Sequence, residues 1–256
     1  MCAQSPWVFA NQSAVALTHM EHHCDMAGSD GSLSCPALNL SVGGGDFSAV
    51  TLLASSTGGR SWEHARPPPH HIVAASPQNF SIGGNRLGFR SPSNIVEGVG
   101  AQAGWFYATV TSGWGAPGGQ SGCNQFVDPA GLQHFCTCVM RTRDLTDPHA
   151  WRAWDGSDFT VSLFATPFDK PAPDPRAHVC QPTINFTYPS LLWSTHFKQY
   201  LLLGTTGGSD HAGWSFQLSD DLIHWSPPTA LDTSSLAATG GPGGNTSAQS
   251  TEEGFS

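Results

Sequence analysis

The stretch Trp214-Ser215-Phe216-Gln217-Leu218 alternates in polarity and runs into Ser219-Asp220-Asp221-Leu222-Ile223-His224-Trp225, so it reads as a strand feeding a polar turn that closes on tryptophan. The order recurs upstream as Ser55-Ser56-Thr57-Gly58-Gly59-Arg60-Ser61-Trp62 and as Thr142-Arg143-Asp144-Leu145-Thr146-Asp147-Pro148-His149-Ala150-Trp151. Ser, Thr or Asp at the head of a hairpin accepts hydrogen bonds from backbone N–H groups a few residues on. Gly supplies a positive φ, and Trp packs a large apolar face between neighbouring sheets. A unit of strands and one such turn, repeated at intervals of several tens of residues, indicates a supersecondary module stacked on copies of itself.

The first copy resembles the Ser-x-Asp-x-Gly-x-x-Trp Asp box of sialidases, with Thr57 in the aspartate position. The third is similar to the Ser-x-Asp-Leu-x-x-Trp turn of the five-bladed propeller glycosidases, which include arabinanases, xylosidases and fructosidases. This resemblance implies an all-β fold, a β-propeller of four-stranded antiparallel blades, either of the five-bladed type or truncated. It also implies a secreted protein that hydrolyses or binds carbohydrate, as oligosaccharide or polysaccharide. The turns are structural in those families, so they speak for the fold before the chemistry.

Composition agrees with the all-β class. The chain has 29 Gly, 19 Pro and 9 Trp and only 11% charged residues, a profile of short strands joined by turns. Its 10 basic and 19 acidic residues give a net charge of -9, and the Lys/Arg clusters needed to hold nucleic acid are missing. No apolar run reaches the roughly 18 residues of a membrane span. No cofactor fingerprint is present, and none is expected to be needed. Seven cysteines and the sequons at Asn11, Asn39, Asn79, Asn185 and Asn245 favour an oxidising, glycosylating route and an extracellular location. Met1-Cys2-Ala3-Gln4 is not a signal peptide, so on the secreted reading either the signal has been removed or the sequence begins late. Cys24 and Cys35 can close a short loop. Cys123 can pair with Cys136 or Cys138 and Cys180 with another, and the odd count leaves at least one thiol free or paired outside the chain.

Three blade-like units are expected at about residues 7–65, 88–156 and 185–228, within a domain of residues 1–230. Pro167 to Pro182 reads as a surface loop, and residues 231–256 as a flexible Ser/Gly-rich tail. Three units are fewer than five, and missing blades would expose sheet edges.

Candidate chemistry begins at His19-Met20-Glu21-His22-His23. On a strand, period two puts His19, Glu21 and His23 on one face. Such a triplet can place a carboxyl and its hydrogen-bonding partners at a sugar, which is preferred here to a metal site and stands against a plain polar strand end. Glu97 is the second candidate carboxyl, because glycoside cleavage needs one group to protonate the leaving oxygen and another as nucleophile or base. Asn94, Arg90 and Arg141 are candidates to hold hydroxyls or a carboxylate, and Tyr188, Trp114 and Trp193 to stack on sugar faces. Each also has a structural reading as turn, surface or packing residue. A Ser-His-Asp hydrolase is disfavoured, since no Gly-x-Ser-x-Gly elbow occurs.

Overall fold

The computed structural model describes residues 2–3, 6–23, 34–35, 40–41, 46–75, 87–113, 136–165, 174–178, 180–184, 186–205 and 214–231. The strands are β1 (Cys2–Ala3), β2 (Trp7–Val8), β3 (Ala14–His23), β4 (Ser34–Cys35), β5 (Leu40–Ser41), β6 (Asp46–Ser55), β7 (Glu63–His64) and β8 (Ile72–Ala75), then β9 (Leu87–Arg90), β10 (Val96–Glu97), β11 (Phe106–Gly113), β12 (Cys136–Thr142), β13 (Arg152–Trp154) and β14 (Phe159–Val161), and finally β15 (Thr187–Ser194), β16 (Gln199–Thr205), β17 (Trp214–Ser219) and β18 (Thr229–Ala230). The protein is all-β, and the only helical turns among the described residues are short 3-10 segments.

The strands form three successive antiparallel meanders. In the first, β1 and β2 lie on one edge of β3, β3 pairs β6, and β7 and β8 follow one another on the far edge of β6. In the second, β10 pairs β11, then β12, β13 and β14 follow in order. The third is β15-β16-β17-β18. The first two are joined where β6 runs parallel to β9 at Phe47↔Leu87 and Ser48↔Gly88. Gly88, at φ +101°, permits this crossing, since a Cβ there would stand 1.9 Å from the Ser48 carbonyl oxygen. Among the described residues the sheets close into neither a barrel nor a ring.

Alternation along the middle sheet divides the interior in two. Ala108, Val110, Cys138 and Met140 join Val15, Leu17, Val50 and Leu52 of the first sheet in one core. Their neighbours in sequence, Tyr107 and Val139, join Leu191, Tyr200 and Leu202 of the third sheet in the other. Each fully buried leucine of these cores contributes about 1.5–3 kcal/mol. Cys138 is bonded to Cys180, 42 residues on, with Cα atoms 6.2 Å apart. Such a crosslink contributes about 2–4 kcal/mol. Cys138 is therefore not the partner of Cys123, and the stretch expected to be a surface loop ends in the core, with Cys180 only 5% exposed. Cys24 and Cys123 lie outside the described residues, as do Cys35's side chain, Asn39, Asn79, Asn185, Asn245 and the tail beyond Leu231.

The third strand of each meander leads to its fourth through a tryptophan turn. Ser55 Oγ accepts from Thr57 N (3.2 Å) and Gly59 N (2.9 Å), Thr57 Oγ1 accepts from Ser61 N (2.9 Å), and Trp62 Nε1 donates to Gly59 O (3.0 Å). Ser219 Oγ accepts from Asp221 N (3.2 Å) and Leu222 N (2.9 Å), Asp221 Oδ1 accepts from Ile223 N (2.9 Å) and His224 N (2.8 Å), and Trp225 Nε1 donates to Leu222 O (3.1 Å). In the middle copy, Thr142 Oγ1 accepts from Asp144 N (3.0 Å) and Asp144 Oδ1 from Thr146 N (2.8 Å). Trp151 is buried with Nε1 unpartnered among the described residues.

Candidate functional site

Strand β3 passes from core to polar end. Ala14 to Thr18 are at most 3% exposed, so packing sets the strand's alternation before its histidines begin. Pairing with β6 is unbroken from Ala14↔Ser55 to His23↔Asp46. Positions 19, 21 and 23 therefore fall on one face, opposite Val50, Ser48 and Asp46. His19 is half-buried, and the side chains of Glu21 and His23 lie outside the described residues. Ser48 is fully buried, and its hydroxyl has no partner among the described residues.

Two acidic positions meet here. Position 46 is the diagonal neighbour of position 21 across the β3–β6 pair, which sets their Cα atoms roughly 7–8 Å apart. Asp46 is absent from the sequence candidates because nothing in the spacing along the chain ties it to Glu21; only the register does. Arg90 belongs to the same end, two residues beyond the Gly88 that pairs with Ser48. Its side chain is 3% exposed and engaged with neighbouring groups, as a buried guanidinium must be.

Glu97 is not brought to this end. It pairs with Phe106, and Phe106 pairs with Thr142, the first residue of the middle tryptophan turn. Position 21 instead lies seven residues along β3 from Ala14, the partner of Ser55 where the first turn begins. Along β11, Glu97's partner Phe106 and Gly88's partner Gly113 are likewise seven residues apart, or roughly 23 Å at about 3.3 Å per residue. The two glutamates thus occupy opposite ends of the sheets.

Three of the remaining candidates, Asn94, Arg141 and Trp193, make contacts within the fold. Asn94 Oδ1 accepts from Leu191 N (3.0 Å) and its Nδ2 donates to Leu191 O (2.5 Å), so one side chain imitates a strand partner and ties the middle sheet to the third. Arg141 stacks between Trp105 (4.0 Å) and Phe159 (4.2 Å) and pairs with Asp158 (3.0 Å). Its guanidinium lies near Tyr107, whose pKa burial raises against the pull of Arg141. Trp193 packs edge-on against Tyr200 (4.9 Å). Tyr188's side chain and all of Trp114 lie outside the described residues.

A histidine cluster escaped the sequence reading, since its members come from distant segments. His64 and His71 rings lie 4.1 Å apart, His70 is 5.8 Å from His149, and His149 stacks on Phe164 at 4.4 Å. Burial pushes the His71 pKa down and the neighbouring His64 adds to it. Burial also lowers His149; Asp147 opposes this, while His70, Arg66 and Arg152 reinforce it. Among the described residues no three His, Cys, Asp or Glu side chains converge as a metal site requires.

No family model matches the chain, and no curated protein does. Among solved structures it is similar to Zg3597, a family 117 glycoside hydrolase of the marine bacterium Zobellia galactanivorans, at 13% identity and TM-score 0.48 over 90% of this chain and 55% of that one. It is similar to a glycosyl hydrolase from Bacteroides ovatus at 15% identity and TM-score 0.42, over 90% of this chain and 49% of that one. A Dyadobacter fermentans protein of unknown function gives 14% identity and TM-score 0.45, over 90% and 51%. The chain thus spans about half the length of these structures. At TM-scores below 0.5, these likenesses decide neither its architecture nor its activity.

Proposed function

We propose that the three meanders are neighbouring blades of a β-propeller, complete or truncated, and that the chain is a secreted, glycosidase-like protein acting on or binding carbohydrate. The observation that carries this reading is the tryptophan turn, which joins third strand to fourth in all three meanders with hydroxyl and carboxyl acceptors in a shared pattern. In this reading residues 1–230 form the propeller domain and residues 231–256 a tail. The Cys138–Cys180 bond supports the oxidising route.

The site is the end that carries positions 19, 21, 23, 46 and Arg90. Glu21 and Asp46 supply the two carboxyls that glycoside cleavage needs, one as proton donor and one as nucleophile or base. His19 and His23 flank Glu21 and donate hydrogen bonds to sugar hydroxyls, and the Arg90 cation favours the ionised form of a nearby carboxylate. Asp46 replaces Glu97 as second carboxyl, because Glu97 stands at the far end.

The test is a screen of aryl glycosides and of plant and algal polysaccharides with the parent protein, Glu21→Gln and Asp46→Asn. Each substitution is expected to lower kcat by about 10²–10⁴-fold. Turnover unchanged by both removes this site from the mechanism, and glycan affinity without turnover in any form makes the protein a lectin-like binding module.

A further inference from the structure

The sequon Asn11-Gln12-Ser13 lies wholly within the described residues, at the turn of the hairpin that joins β2 to β3. Phe9 N donates to Ser13 O (2.8 Å) and Gln12 N to Phe9 O (2.9 Å), and the chain reverses through Gln12 at φ 65°. Asn11 Oδ1 accepts from Ser13 N (3.0 Å) and from the Ser13 hydroxyl (2.6 Å). One oxygen thus takes up both donors of the third residue. The amide nitrogen is left over: Asn11 is exposed, and its Nδ2 makes no hydrogen bond among the described residues.

We infer that Asn11 carries an N-linked oligosaccharide, an inference that rests on the secreted reading above. Attachment needs Asn with Ser or Thr two residues on, no Pro between them, and a place at the surface. All three are met here. In the transfer Asn11 Nδ2 bonds to the anomeric carbon of the first sugar of a lipid-linked diphosphate oligosaccharide. The carbon–oxygen bond to the diphosphate breaks with its electron pair, and one amide proton leaves with the departing diphosphate. The Cys138–Cys180 bond speaks for passage through an oxidising compartment, where such a donor is met.

Whether the sugar arrives before or after the hairpin closes, the fold has to accommodate it. Residues 10 to 12 are all exposed, and cover begins at Ser13. The Gln12 carbonyl oxygen lies 3.9 Å from where a Cβ on Gly58 would stand, so the hairpin tip belongs to the end of the first sheet that holds its tryptophan turn. Position 21 is at the other end, seven residues along β3 from Ala14, or roughly 23 Å. An oligosaccharide on Asn11 therefore leaves the proposed carbohydrate site open. It stands beside β2, which pairs with β3 alone among the described residues and carries Val8 at 53% exposure. A bulky hydrated group at such an edge hinders pairing with another strand.

A hairpin turn by itself also favours Asn, through its acceptor oxygen. Asp supplies that oxygen equally, whereas the glycan needs the nitrogen, and this difference makes the test. The full chain is directed by a cleavable leader through the secretory pathway of eukaryotic cells. It is then treated with peptide N-glycosidase in heavy-oxygen water and read by mass spectrometry at the peptide that holds Asn11. Most molecules are expected to yield a labelled aspartate at position 11, the mark of a removed oligosaccharide. Asn11→Asp keeps the acceptor for Ser13, and with it the hairpin, and is expected to run on a gel one oligosaccharide lighter than the parent. Ser13→Ala is expected to do the same and Ser13→Thr to match the parent. Label on a chain that the cells retain supports this inference and counts against the secreted reading; export without label does the reverse. An unlabelled position 11 overturns the inference wherever the chain is found, as does Asn11→Asp running with the parent.

Discussion

The first and third tryptophan turns perform one task with different parts. At the residue whose carbonyl receives the indole N–H, the first turn has Gly59 at φ 83° and the third has Leu222 at φ 70°. Glycine adopts that conformation freely, whereas leucine is strained there by roughly 1–2 kcal/mol. Leu222 is tolerated because its side chain is fully buried in the core of the third sheet. The second difference is the acceptor. Thr57 offers an uncharged hydroxyl, and Asp221 a carboxylate that burial pushes up but that hydrogen bonds from His224, Ile223 and Ser219 hold down at about 2. The frame therefore needs an acceptor at this position and does not need a charge.

Truncating Leu222 should break the comparison most visibly. Leu222→Ala keeps the strained φ and loses the packing, so denaturant unfolding should show a loss of about 3 kcal/mol. Gly59→Ala adds a methyl 3.5 Å from the Trp62 ring, which is ordinary contact, and pays only for the positive φ. It should cost about 1 kcal/mol. Equal losses at the two sites would mean that the leucine is not an anchor.

The acceptors differ next in size of effect. Asp221→Ala should cost about 1–2 kcal/mol and Thr57→Ala no more than about 1, by analogy with other side-chain caps of backbone N–H groups. Of these two turns, the third alone has a carboxyl that should answer to strong acid. Its carboxyl lies below the ordinary 3.8 when folded, so its stabilisation is full above that value and lost as pH falls toward 2. An acid unfolding curve of Asp221→Asn as steep as the parent's in that window would contradict this.

The smallest effect belongs to the histidines beside the first two turns. His71 and His149 are held below the usual 6.5, so the unfolded chain takes up protons before the folded one. Stability is full above 6.5 and declines as pH drops below it. His71→Asn should flatten that decline in urea titrations between neutral and mildly acidic pH, and an unchanged slope would place the titration elsewhere.

How much of this was legible beforehand follows from the range of each interaction. The all-β class and the turns could be read directly, because Ser219, Asp221 and Trp225 act on backbone groups within a few residues. The strand alternation through His19, Glu21 and His23 is also local, a property of the pleat. The end of the sheet at which Glu97 stands was not legible, because position along the chain says nothing of which end of a sheet a strand reaches.

Partnership across the chain was another matter. Asp46 stands diagonal to Glu21 only through the β3–β6 register, Asn94 is committed to Leu191 97 residues away, and Cys138 took Cys180 instead of Cys123. Hydrogen bonding to a near neighbour is encoded in residue type and spacing. Register and disulfide choice depend on how burial of the whole core orients each strand, so packing alone could assign them.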